Sequence, residues 1–187
     1  PRWKGKIAYA DPTVPSAAHK DFAVWIQPGR LGVDYFRQLA KQDLFISRDD
    51  RPLVEGTARG KFAIAISVKT DTVGEFVKAG ASIKIVHPKE GTYQSGGSSV
   101  ISLINKRPHP NAARLFLNWY LSQEGQQVFA DFDMRQGTRL DTNYEHLPSE
   151  KIRQPERKYV SVETEEFLRE EADAIVTIKE IFSPYLR

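Results

Sequence analysis

What most constrains the fold of this chain is the alternation of short apolar runs with segments of helical period. Lys6–Tyr9, Phe62–Val68, Ser82–Val86 and Ser99–Ile104 are rich in Ile, Val and alternating small residues, as strands are. Between them, Val33, Phe36 and Leu39 mark one helical face. Val73, Phe76 and Val77 mark another, capped by Thr70 or Asp71 and stopped by Gly80. The acidic pair Asp49 and Asp50 precedes a further helix over Arg51–Arg59, where capping explains it better than paired-carboxylate catalysis. Strands joined through helices pair in parallel, so the pattern predicts βαβ units in an α/β layered fold over residues 1–105.

Residues 106–187 read differently, as a C-terminal helical segment. In His109–Gln126, His109 can cap a helix whose first residue is Pro110, a position where the missing N–H costs nothing. Ala112, Leu115, Phe116 and Trp119 then recur at i, i+3, i+4 and i+7, which predicts one buried face. Ser122 caps a second short helix carrying Val128 and Phe129, with Glu124 near its positive end. Thr138–Pro155 is polar and reads as a loop. A last helix is predicted over Val162–Phe182, with Phe167, Leu168, Ala172 and Ile175 at helical spacing.

Composition bounds the function classes. A chain of 187 residues with 40% hydrophobic and 27% charged residues can bury one good core, or one and a half small lobes. No apolar run approaches the roughly 18 residues that span a bilayer. The absence of cysteine removes disulfides and thiol chemistry. The net charge of +3 comes from scattered Lys and Arg, which favours solvated surface over a nucleic-acid patch. GxSxG, HExxH, GxxxxGK and GxGxxG motifs are absent, and His19, His87, His109 and His146 lack metal-ligand spacing. Composition and motifs therefore give no sign of an enzyme or a cofactor, neither of which is expected, and by themselves they name no function.

The run His109–Gln126 closely resembles a segment of extracellular solute-binding proteins of ABC importers, in the ferric-iron-binding-protein-like group. Trp3–Asp11, Gly60–Ser67 and Glu90–Val100 resemble that family in the same order, so the similarity covers about Pro1–Phe132. The resemblance implies a periplasmic-binding-protein type II fold. Residues 1–105 would be its second, ligand-binding lobe, and residues 106–187 would return to a first lobe whose N-terminal part precedes Pro1. It also implies capture of a small polar or anionic solute between two lobes and delivery to ABC permease subunits. The protein would be a periplasmic or extracellular monomer with no nucleic-acid partner, and the full-length protein could carry a lipid anchor. A ferric-iron carrier, the effector-sensing domain of a transcription regulator and an enzyme built on the same lobes remain alternatives.

Candidate site residues sit where strands hand over to helices, since ligands in open α/β sheets collect at the carboxyl ends of strands. The first junction is Asp11–Ala18, with Asp11, Thr13 and Ser16. A helix starting near Ser16 would present free N–H groups to an anion, or Ser16 would be a plain N-cap. The resemblance aligns Ser16, Ala17 and Ala18 with a Ser-Gly-Ala triplet that holds a phosphate-like anion in the ferric-binding relatives. The second junction, Ser67–Asp71, offers Ser67, Lys69, Thr70 and Asp71 as ligand contacts or caps. The family's iron binders carry adjacent tyrosines near this point, where this chain has Thr70 and Asp71; that departure argues against iron. The third, Gly91–Gly97, offers Thr92 and Tyr93 in a glycine-rich turn, with a partly buried Tyr93 in a crossover loop as the alternative.

Overall fold

The computed structural model describes residues 2–94, 101–147 and 149–186, so Ser95–Gly97 of the third junction, Ser99, Val100 and Pro148 lie outside the described residues. Strand β1 (Ile7–Ala10) lies at the centre of a three-stranded parallel sheet, flanked by β2 (Phe45–Ser47) and β3 (Ile64–Ile66). The chain between β1 and β2 forms α1 (Ala17–Trp25) and α2 (Gly32–Ala40); α3 (Asp50–Ala58) joins β2 to β3. The pairing is parallel, as the alternation predicts, although β2 is not among the expected strands. Helix α4 (Thr70–Lys78) follows β3, and Gly80 ends it at φ +90.

Among the described residues, the expected strand Ser82–Val86 and residues 101–104 of the expected strand Ser99–Ile104 do not form ladders. Ile83 and Ile85 are only half-buried, and Val86, Ile101, Leu103 and Ile104 stay exposed. Alternating apolar residues make a strand only when a neighbouring backbone takes up the N–H and C=O groups. Strands form instead at Thr92–Gln94 (β4) and Tyr159–Ser161 (β5), which pair in parallel with Tyr93 opposite Val160. The expected last helix starts later, as α7 (Glu165–Phe182), capped by Thr164, whose side chain accepts the Phe167 N–H at 3.1 Å.

The chain divides into two compact units, Pro1–Gly96 with Lys158–Arg187, and Gly97–Arg157. The boundary thus differs from the expected 1–105 and 106–187, because β5 and α7 belong with the sheet. In this first unit α7 packs on α1 and α2. The rings of Phe22 and Phe36 meet at 4.6 Å and Phe182 stands edge-on to Tyr9 at 5.5 Å, all fully buried or nearly so. Trp25 Nε1 donates to the Gly91 carbonyl at 3.0 Å and Arg30 Nη1 to the Glu90 carbonyl, which ties the approach to β4 onto the helices.

The second unit contains α5 (Pro110–Tyr120) and α6 (Gln123–Asp133). Ser122 caps α6 as expected, its Oγ accepting the Gly125 N–H at 3.1 Å; His109 occupies the cap position of α5 but makes no side-chain cap bond. The predicted buried face of α5 is not buried. Leu115 is 73% exposed and Phe116 54%, and no residue of the helix is buried. Helical period aligns apolar residues on one stripe; it supplies no partner to cover them.

Candidate functional site

The carboxyl end of the three-stranded sheet carries a shallow depression lined by Ala10, Asp11, Val14, Ser16, Ala17, Ala18, Arg48, Asp50, Ser67 and Lys69. Six of the residues singled out from the sequence are thus brought together: Asp11, Ser16, Ala17, Ala18, Ser67 and Lys69.

One wall is the entry to α1. Ser16 adopts an extended backbone, its Oγ accepting the His19 N–H at 3.3 Å and donating to the Asp11 carbonyl at 3.3 Å. The first N–H groups of a helix have no intrahelical acceptor and carry the positive end of its dipole, and Ala17 and Ala18, the first two residues of α1, line the depression. The His19 ring, itself buried, bonds the Pro12 carbonyl through Nδ1 at 3.1 Å and stands 3.7 Å from Glu171. The loop before α1 is therefore fastened to the helix that follows it.

The floor is Asp11, whose side chain is only 4% exposed. Its Oδ1 accepts the Thr13 N–H at 2.9 Å and the Thr13 hydroxyl at 2.6 Å, and its Oδ2 accepts Arg48 Nε at 3.1 Å. Burial alone would push its pKa up, but the Thr13 donors and Arg48 outweigh it and hold the carboxyl below its usual range. Thr13 supports Asp11 and does not line the depression.

The opposite wall follows β3. Ser67 has φ +58, a left-handed conformation unusual for serine, and its Oγ is buried without a closed hydrogen bond. That hydroxyl faces Asp21 of α1, whose carboxyl is pushed up to about 6 by burial, against the opposing pull of Ser67. Lys69 takes the N-cap position of α4, with Nζ 4.0 Å from the Asp50 carboxylate. The cap expected at Thr70 or Asp71 therefore falls one residue earlier. Thr70 and Asp71 form the first turn of α4 and are exposed, outside the lining.

Thr92 and Tyr93 also lie outside it. They belong to β4, where Tyr93 packs against the aromatic core. Burial, then the charges of Asp21 and Glu171, raise the Tyr93 hydroxyl pKa, which favours its neutral form. Arg48 and Asp50 are lining residues that the sequence reading missed. Both follow β2, and the signal that could have found them is the apolar run Leu44–Ile46, which belongs to a strand too short to show a clear alternation. Among the described residues no group of three or more His, Asp or Glu gathers to hold a metal ion, and no helix is long and apolar enough to cross a membrane.

The chain is 29% identical to an uncharacterized protein of Haemophilus influenzae (strain ATCC 51907 / DSM 11121 / KW20 / Rd) over 131 residues, which is 68% of this chain and 37% of that protein. This chain therefore spans well under half the length of the relative it matches. The family model of the bacterial extracellular solute-binding protein matches residues 1–135. On that match, the chain belongs to the bacterial extracellular solute-binding protein family.

Proposed function

We propose that this chain is the ligand-binding lobe of the substrate-binding component of an ABC importer, with a periplasmic-binding-protein type II fold, and that its solute is small, polar and anionic. The observation that carries this reading is that the α1 N-terminus, Lys69 and Arg48 line one depression at the carboxyl end of the sheet. A helix N-terminus that borders a concavity favours oxoanions, and the two cationic side chains in the lining fit the same ligand.

In this reading the solute is held between this lobe and a second one, closure is a hinge motion, and the loaded protein docks on permease subunits outside the cytoplasm. It works as a monomer and performs no covalent chemistry. A ferric-iron carrier fits less well. Ferric iron favours anionic oxygen ligands. At the place where the resemblance implies paired tyrosines stand Thr70 and Asp71, while Tyr93 is packed against the core with its hydroxyl kept neutral.

A ligand that binds only the native state raises apparent stability by RT ln(1 + [L]/Kd), so thermal melts suffice as a test. Phosphate, sulfate and acetate are expected to raise the Tm above that in chloride at matched ionic strength. Equal melting temperatures in all four salts would reject the anionic solute. A saturable visible tyrosinate band on titration with ferric citrate would restore iron.

A further inference from the structure

Resting on the anionic-solute reading, we propose that Arg48 is the specificity-determining residue of the depression and that Asp11 is its positioning residue. The site would then recognise an oxoanion through a planar fork of two nitrogens and not through positive charge alone.

Sheet register brings the two residues together. Ala10 of β1 is opposite Ser47 of β2, and the Asp11 N–H continues the ladder by donating to the Ser47 carbonyl at 2.8 Å. The next residue on each strand is Asp11 and Arg48, separated by 37 positions in the chain and joined by the 3.1 Å contact from Nε. A carboxylate as buried as Asp11 is stable only when its oxygens are occupied. Thr13 occupies one, and Arg48 the other.

The geometry of that contact decides what Arg48 can still do. With Nε committed to Asp11, the guanidinium plane is anchored along its side edge. Its Nη1–Nη2 edge has no other ion pair among the described residues, and the side chain is 74% exposed. An anchored fork matches the paired oxygens of carboxylate, phosphate or sulfate, and it has lost rotamer freedom before the solute arrives. Lys69 differs: it is a flexible point charge, 72% exposed and loosely partnered by Asp50.

Charge alone does not explain selectivity here. Arg48 and Lys69 are balanced by Asp11 and Asp50, so the four charged lining residues sum to zero. A neutral set of side chains discriminates by shape and hydrogen bonding, which favours a forked oxoanion over a spherical halide of equal charge.

The experiment is calorimetric titration of inorganic phosphate, sulfate and acetate into the wild type, Arg48→Lys and Asp11→Asn, in a chloride buffer of fixed ionic strength at pH 7.5. Arg48→Lys keeps the charge and removes the fork. It is expected to weaken phosphate binding roughly tenfold, about 1.4 kcal/mol. Asp11→Asn removes a negative charge from the site. A purely electrostatic role for Arg48 would make phosphate bind more tightly, whereas loss of the anchor weakens it by a similar factor. Arg48 is exposed, so its replacement leaves the core intact even if Asp11→Asn destabilises the fold. Unchanged affinity in Arg48→Lys, or tighter binding in Asp11→Asn, overturns this inference while leaving the anionic-solute reading in place. Failure of all three oxoanions to bind the wild type overturns both.

Discussion

The sheet unit and the helical unit carry the same kind of sequence signal and meet opposite fates. Phe36 and Leu39 recur at helical spacing on α2 and are sealed in a core with Phe22 of α1, Tyr9 and Phe182. Leu115, Phe116 and Trp119 recur just as regularly on α5, yet all three stay exposed, and Phe132 of α6 is 90% exposed. Within the second unit the helices touch through the edge-on contact of Tyr120 with Phe129 at 5.8 Å, and Phe116 stacks on Tyr120 within α5. The difference teaches that periodicity reports which side chains could share a face. Burial needs a second surface, which the parallel sheet and α7 provide to α1 and α2.

The largest expected effect tests that contrast directly. Phe22→Ala should cost about 3–5 kcal/mol in urea unfolding, as truncation of a sealed aromatic does. Leu115→Ala and Phe132→Ala should each change stability by less than about 0.5 kcal/mol. A loss above about 2 kcal/mol at Leu115 would break the comparison, since it would mean the α5 face is covered in solution.

A second effect belongs to the sheet unit alone. Folded Asp21 keeps its proton up to about pH 6, whereas unfolded aspartate releases it near 3.8. The native state therefore binds more protons across that window, and Asp21 makes stability fall as pH rises from about 4 to about 6, then level off. Each pH unit between the folded and unfolded values is worth about 1.4 kcal/mol, so Asp21→Asn should stabilise the protein by roughly 2–3 kcal/mol at pH 7 and by little at pH 4. An equal gain at both values would mean that the carboxyl is not desolvated. Asp11 acts with the opposite sign. Its lowered pKa contributes stability at neutral pH that disappears as pH falls through and below the ordinary aspartate range, and Asp11→Asn should flatten that acid limb.

Close approach should cost the two units alike. A methyl group at Gly56 would lie 2.5 Å from the Phe62 ring, and one at Gly125 would run into the Trp119 carbonyl at the α5–α6 corner. Gly56→Ala and Gly125→Ala should each destabilise by about 1–3 kcal/mol. Gly74, in α4 with open space around it, is the control: its replacement by Ala should stabilise by about 0.5–1 kcal/mol. If Gly125→Ala were silent, the α5–α6 corner would be looser than the corner between α3 and Phe62.

The smallest effect should not distinguish the units. Ser16 and Ser122 each accept an N–H three residues on, so Ser16→Ala and Ser122→Ala should both cost about 1 kcal/mol. A much larger loss at Ser16 would indicate that its bond to the Asp11 carbonyl also holds the loop that shapes the depression.

Much of this organisation was legible residue by residue. Ser16 before Ala17, Asp49 before Arg51 and Ser122 before Gly125 are caps whose chemistry is complete within four residues, and each helix they announce is present. Gly80 stops α4 for an equally local reason. Strands were less legible. Ser82–Val86 has the composition of a strand and no ladder partner, whereas Tyr159–Ser161 is hidden in a polar stretch and pairs with β4 across 67 positions. Tyr93, expected in a ligand-facing turn, belongs to that ladder and packs on the core.

By itself, then, the chain determined where its helices lie to within a few residues, the caps at Ser16, Asp49 and Ser122 and the parallel class of its sheet, because hydrogen bonds within one turn and apolar spacing along one face are properties of neighbouring residues. Only the tertiary structure decided that Arg48 stands over Asp11, that Ser67 faces Asp21 and that α5 keeps its apolar stripe in the open. Those outcomes depend on strand register and on the presence or absence of a packing surface, quantities set by residues tens of positions apart.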